Sequence, residues 1–248
     1  MLSKQLEKYI KSLRQKKHRL ETGAFVAEGD KVVYELLHAP CVVEQVLALP
    51  SWIDNHEREH NRLGAKLLRI NEVEMEKISG LQTPSAVLAI GLMPRPVVHE
   101  DRVKRRISLV LDGIQDPGNL GTILRTAAWF GVEDVFCSPD CVDAFNPKVV
   151  QSSMGALFRL QVLELPLLTL FEQFPDLPVL AAVLQGEDIR HTPLPAAGFL
   201  VIGSEGKGIQ ENILQRASHK ISIPSFSETD SLNAAIATSI LLYEWKRN

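Results

Sequence analysis

The sequence predicts an α/β protein: a parallel sheet flanked by helices, preceded by a small α/β domain. Three observations lead there. Strand-like and helix-like stretches alternate from Ile107 to the C-terminus. Several strand-like stretches, Phe199 to Ile202 above all, are apolar at every position, as strands buried on both faces are. A charged stretch containing Pro94 and Pro96 separates the two halves. The expected organisation is therefore a domain over residues 1–93, a linker over 94–106 and a second domain over 107–248.

The elements follow in order. Residues 1–20 read as helix. Phe25 to Gly29 is a brief strand, and Asp30 can cap a helix carrying Val32, Val33, Leu36 and Leu37. A strand over 42–49, a polar helix over 51–60 and a strand over 66–70 come next. Asn71 caps a short helix, and 86–92 is a strand. In the second half, strands are expected at 107–111, 132–137, 160–165, 179–184, 199–203 and 220–223, the last stopped by Pro224. Helices are expected at 119–130, 147–158, 167–174, 209–217 and 231–245.

Composition narrows the class. Of 248 residues, 45% are hydrophobic and 23% charged, the balance of an ordinary globular chain. No apolar run approaches the ~18 residues of a membrane span. No apolar core follows the positive charges of the N-terminus, so no secretory signal is expected. Three cysteines, Cys41, Cys137 and Cys141, are too few and odd for a disulfide framework and point to the reducing cytoplasm. Cys137 and Cys141 lack a second Cys or His pair, so they read as packing residues and no metal is expected. The net charge of −3 argues against a generic nucleic-acid coat. Yet residues 1–20 carry seven basic side chains against Glu7 alone, a local +6. That density suits RNA phosphates, with a solvated helix face as the plainer alternative.

In parallel sheets ligands bind beyond the carboxyl ends of the strands, which singles out three loops. The first runs Asp112-Gly-Ile-Gln-Asp-Pro-Gly-Asn-Leu-Gly121; Asn119 can cap the next helix, and Arg125 lies six residues on. The second is Gly203-Ser-Glu-Gly-Lys-Gly208, where Glu205 is more than a plain glycine turn requires. The third follows Ile223-Pro224 and ends in Ser231-Leu232-Asn233, two capping residues where one would serve. Neither the dinucleotide fingerprint nor the phosphate-binding P-loop fits these spacings.

The ordered trio Asn-x-Gly-x-x-x-Arg, Gly-x-Glu-Gly-x-Gly and Ile-Pro-(x)6-Ser-Leu-Asn resembles the SpoU (TrmH-like) family of SPOUT RNA methyltransferases. The stretch from Leu13 to Gly29 is similar to the opening of that family's accessory substrate-binding domain, itself like kink-turn-binding ribosomal proteins. The resemblance implies a parallel sheet with a C-terminal trefoil knot, S-adenosylmethionine as methyl donor, and a homodimer joined near the last helix, where the apolar run Ile236, Ile240, Leu241, Leu242, Tyr243 and Trp245 is compatible with the contact, as it is with a plain core helix. It implies methyl transfer to a ribose 2′-hydroxyl, in rRNA rather than tRNA given the full accessory domain. Gly203, Ile223 and Leu232 would hold the donor. Arg125 would help activate the hydroxyl, although an arginine, a very weak acid in its charged form, is an odd base. Asn119 and Asn233 would orient the ribose and loops, Glu205 would position the second loop or Arg125, and Ser231 would bind phosphate at a helix N-terminus. In this setting Lys16, Lys17 and Arg19 become RNA contacts. One departure stands out: Ser225-Phe226-Ser227 follows Pro224, where the family often carries Met. Competing readings are a non-catalytic RNA-binding protein of the same fold, a nucleotide-dependent Rossmann enzyme, and base rather than ribose methylation.

Overall fold

The computed structural model describes residues 1–227 and 231–247. In chain order its elements are α1 (Lys4–Ser12), α2 (Lys16–Thr22), β1 (Ala24–Glu28), α3 (Asp30–His38), β2 (Val43–Ala48), α4 (Pro50–Asn55), α5 (Glu57–Leu63), β3 (Leu67–Arg69), α6 (Glu72–Ile78), β4 (Val87–Leu92), α7 (Glu100–Val103), β5 (Ile107–Asp112), α8 (Pro117–Trp129), β6 (Asp134–Cys137), α9 (Pro147–Ser152), β7 (Gln161–Glu164), α10 (Leu167–Gln173), β8 (Val179–Asp188), β9 (Gly198–Gly203), α11 (Glu211–Leu214), β10 (His219–Ser222) and α12 (Ala234–Arg247). Two compact units result, one of Met1–Arg95 with Asp143–Arg159, the other of Pro96–Val142 with Leu160–Asn248.

The first unit is built on a four-stranded sheet, β1-β4-β2-β3. β1 is buried at every position because both its faces are covered. Ala24 and Val26 join Ile10, Leu13, Met75 and Ile78 in one core. Phe25 meets the rings of Phe145 and Phe158, with centroids 4.9 and 5.7 Å away. That is why residues 143–159, late in sequence, cluster with this unit.

The expected single helix over 1–20 is broken between Ser12 and Lys16, and the break changes the reading of its charges. Arg19, expected on an RNA-facing surface, is 1% exposed. Its guanidinium donates to the Leu13 carbonyl at 2.8 Å and to the Asp143 carboxylate. A buried cation needs such partners, so Arg19 belongs to the interior. Arg14 likewise donates to the carbonyls of Ile78 and Ser79. Lys16 and Lys17 remain exposed.

The second unit holds six strands in the order β10-β8-β9-β5-β6-β7, every pairing parallel. Its core includes Val110, Phe136, Phe171, Phe174, Phe199 and Val201. The stretch read as linker contains α7, from which Arg102 donates to the carboxylate of buried Asp134. β8 runs past the expected end at Leu184 to Asp188. Its pairing with β10 jumps from Ala181 to Glu187 between Lys220 and Ile221, so the intervening residues bow out of the ladder. Gly186 makes this possible: a Cβ there would lie 2.7 Å from the backbone of Lys220 and Ile221. Because the strands are parallel, β5 and β9 end together, Asp112 opposite Gly203 in register. The first two loops therefore leave the sheet at one edge.

Candidate active site

The three loops meet at one carboxylate. Glu205 Oε1 accepts from Asn119 Nδ2 at 2.9 Å and from Asn233 Nδ2 at 2.5 Å. Asn233 Nδ2 also donates to Asn119 Oδ1 at 2.9 Å, which closes a triangle of side chains. Residues 119, 205 and 233 are far apart in sequence, and each comes from a different loop.

Local folding explains how each arrives. Asn119 was expected to cap its helix. Instead Pro117 occupies the first turn of α8, and Asp116 is the cap, accepting from the Asn119 amide at 2.8 Å. That leaves the Asn119 side chain available to Glu205. Glu205 stands on a tight turn closed by two backbone hydrogen bonds between Ser204 and Gly208, of 2.9 and 3.2 Å. Gly203 must be glycine, since a Cβ there would sit 2.2 Å from Gly208. The last helix begins at Ala234 rather than at Ser231. Asn233 is its cap, Oδ1 accepting from the Ala235 amide at 2.9 Å while Nδ2 serves the triangle. The amide of Ala234 points to Glu205 Oε1 at 3.4 Å, and that of Ile236 to Asn233 Oδ1 at 3.4 Å. The N–H groups that would have served a phosphate beside Ser231 are thus engaged. Ser231 itself is exposed.

Arg125 is exposed on α8, and among the described residues no hydrogen bond or ion pair holds it. It is not joined to Glu205. Asp112, the first residue of the first loop, is 1% exposed and accepts from the Gln210 backbone N–H and Nε2, both at 2.7 Å. It fixes the exit of the second loop to the end of β5. An acid closing a largely apolar strand was the available signal. Cys137 and Cys141 are buried beside the first loop. Cys141 Sγ accepts from the Ile114 amide at 3.3 Å. Its hydrogen bond with Cys137 draws the Cys141 thiol down to about 7.

A cleft of about 640 Å³ opens beside the triangle, within the range of small-molecule sites. Gly203, Ile223 and Leu232 all line it, with Ile202, Ile221 and Leu241. Its walls are apolar, and the close-packed Gly203–Gly208 turn brings backbone N–H and C=O groups to its edge. This lining, apolar walls with Ser204, Glu205, Ser222 and Ser231 among them, fits S-adenosylmethionine, an adenosine joined through a sulfonium to an amino-acid chain. A second cavity of about 280 Å³ shares the Ser204–Gly208 turn and Ala234 with the cleft, and adds Asp112, Gln115, Asp116, Asn119 and Asp140. Among the described residues no group of three or more His, Cys, Asp or Glu side chains could hold a metal ion. No described helix is long and apolar enough to cross a membrane.

Known proteins resemble this chain in sequence and fold. The model of the SpoU rRNA Methylase family matches residues 106–243, and that of an MRM3-like substrate binding domain matches residues 5–89. The 23S rRNA (guanosine(2553)-2′-O)-methyltransferase RlmP of Bacillus subtilis is 30% identical over 241 residues, covering 94% of this chain and 92% of the relative. A putative RNA methyltransferase of the TrmH family from Porphyromonas gingivalis is similar in structure, with a TM-score of 0.85 and 36% identity, covering 100% of this chain and 99% of that one. An AdoMet-bound rRNA methyltransferase from Sinorhizobium meliloti gives 0.87 at 29% identity, covering 100% and 96%. Fold and site together define an RNA methyltransferase that draws its methyl group from S-adenosylmethionine. The chain belongs to the SpoU rRNA Methylase family.

Proposed function

We propose that this chain methylates a ribose 2′-hydroxyl of ribosomal RNA, large-subunit rRNA in particular. The observation that carries the reading is the Asn119–Glu205–Asn233 triangle, set where the apolar cleft and the polar cavity share one turn. S-adenosylmethionine supplies a methyl group already activated on a sulfonium. The protein's task is then alignment and help with the hydroxyl proton. Gly203, Ile223 and Leu232 hold the donor. The polar cavity receives the acceptor ribose, and Asn119 and Asn233, fixed by Glu205, orient it. Arg125 helps to activate the hydroxyl. It stabilises the developing alkoxide as a cation, with an RNA phosphate sharing the proton. The Ser231 hydroxyl contacts phosphate directly.

Lys16 and Lys17 bind RNA phosphates from the first unit. The name of the Bacillus subtilis relative supports rRNA as substrate. Two copies pair through α12 in the same reading. Its residues Leu241, Leu242 and Trp245 are buried, whereas Ile236 and Tyr243 are exposed, as is Trp129 at 84% on α8. Light scattering tests this: a dimer is expected, and a monomer from the doubly charged variant Ile236→Asp with Tyr243→Asp. The trefoil knot and a cytoplasmic setting complete the proposal.

The decisive assay is transfer of labelled methyl to rRNA followed by mapping of 2′-O-methyl sites. Arg125→Ala is expected to keep donor binding by calorimetry and lose transfer. Normal turnover by that variant would remove Arg125 from the mechanism. Label found on a base would redirect the chemistry.

A further inference from the structure

Phe226 is 90% exposed, yet it lines the apolar donor cleft. Exposing a whole phenyl ring forgoes the largest apolar gain such a residue offers, unless a ligand covers it. The ring is not left loose. Ser225 Oγ donates to the Ser227 carbonyl at 2.8 Å and accepts from the Ser227 amide at 3.3 Å, which closes a small turn with Phe226 at its tip. The Arg190 guanidinium lies over the ring, 5.9 Å from its centroid. Arg190 is itself gripped by Asp188, Nε donating to both carboxylate oxygens at 3.0 Å and the outer nitrogen to Oδ2 at 2.5 Å. Asp188 ends β8 opposite Ser222, the last residue of β10, so the anchor belongs to the sheet.

We infer that Phe226 is a donor-binding residue, its free face stacking on the adenine of S-adenosylmethionine. This rests on the cleft being the donor site. Two features favour the purine over other occupants. One face already carries a cation, which weakens the ring's attraction for a second cation such as the sulfonium. The Arg190 charge is balanced by Asp188, so the cation over the ring is not free for the phosphates that flank an RNA base. A neutral, flat heterocycle suits what remains.

Calorimetry with S-adenosylmethionine and with S-adenosylhomocysteine tests the assignment. Phe226→Ala is expected to raise both dissociation constants about tenfold, within the range of a stacked base. The exposed position makes misfolding an implausible cause, and circular dichroism checks it. Phe226→Trp restores binding, and its added emission is quenched on titration with either compound, against the background of the native tryptophans. Unchanged affinities in Phe226→Ala overturn the proposal. So does a loss confined to the sulfonium compound, or one seen only in RNA binding. If the unsubstituted chain binds neither compound, the donor-cleft reading falls first and takes this inference with it.

Discussion

Asn233 does two jobs with two atoms, and substitutions can separate them. Its Oδ1 caps α12, and its Nδ2 joins Glu205 to Asn119. Asn233→Ala removes both. Loss of the cap costs about 1 kcal/mol, which lowers the melting temperature by roughly 2–4 °C in a chain of this size. Asn233→Asp keeps the capping oxygen and adds a negative charge at a helix N-terminus, where it is favourable. The cap is therefore retained, and any fall in melting temperature reports the loss of the triangle alone. The triangle, however, loses a donor to a carboxylate, an interaction of about 1.5–3 kcal/mol, and gains a like charge beside Glu205. That corresponds to a fall in transfer of roughly 10- to 150-fold. Adding Glu205→Gln reverses donor and acceptor, and part of the activity should return. Thermal melts by circular dichroism and single-turnover transfer read the two roles separately. Full transfer by Asn233→Asp, with its melting temperature retained, would refute the claim that the triangle orders the site.

Other outcomes can be stated briefly. Lys16→Glu with Lys17→Glu should weaken rRNA binding and flatten its salt dependence by roughly one to two units of slope, without changing the melting temperature. An unchanged slope would count against these lysines. Arg19→Ala should do the opposite, leaving the salt slope alone while destabilising the first unit by about 3–5 kcal/mol, because it strands Asp143. Chemical denaturation of residues in that unit checks it. The Arg190 guanidinium beside Asp188 holds its carboxyl at about 2, below the usual 3.8. Its stabilising effect is therefore present above the ordinary carboxylate range and is lost as pH falls through about 2. An NMR titration of Asp188 should show that midpoint and move it up in Arg190→Gln.

The layered parallel sheet and the three loops that meet at Glu205 were legible because both are local patterns. Apolar strands, alternating helices and three loops with fixed spacings are all written within short windows. Asn119, Glu205 and Asn233 could be named from them. Their roles could not be assigned fully. Asn119 suits a cap by residue type, but Asp116-Pro117 is the stronger helix start and takes that place. Ser231 looked like the start of α12, whereas Asn233 fills that role with the oxygen the site does not use.

Burial across long sequence distances lay beyond such reading. Arg19 belongs to a basic run by composition, yet Asp143, on a segment that folds back onto β1, makes it an interior residue. Gly186 and the bowed β8 depend on how closely β10 passes. Phe226 looked like a departure from a familiar pattern until Arg190 and the cleft were in place around it. The sequence by itself determined the alternation of strands and helices and the three polar loops, since propensity and periodicity act over a few residues. Only the tertiary structure decided which charges are spent in the interior and which side chains meet at Glu205, because burial and hydrogen bonding are settled by partners that the chain supplies from a distance.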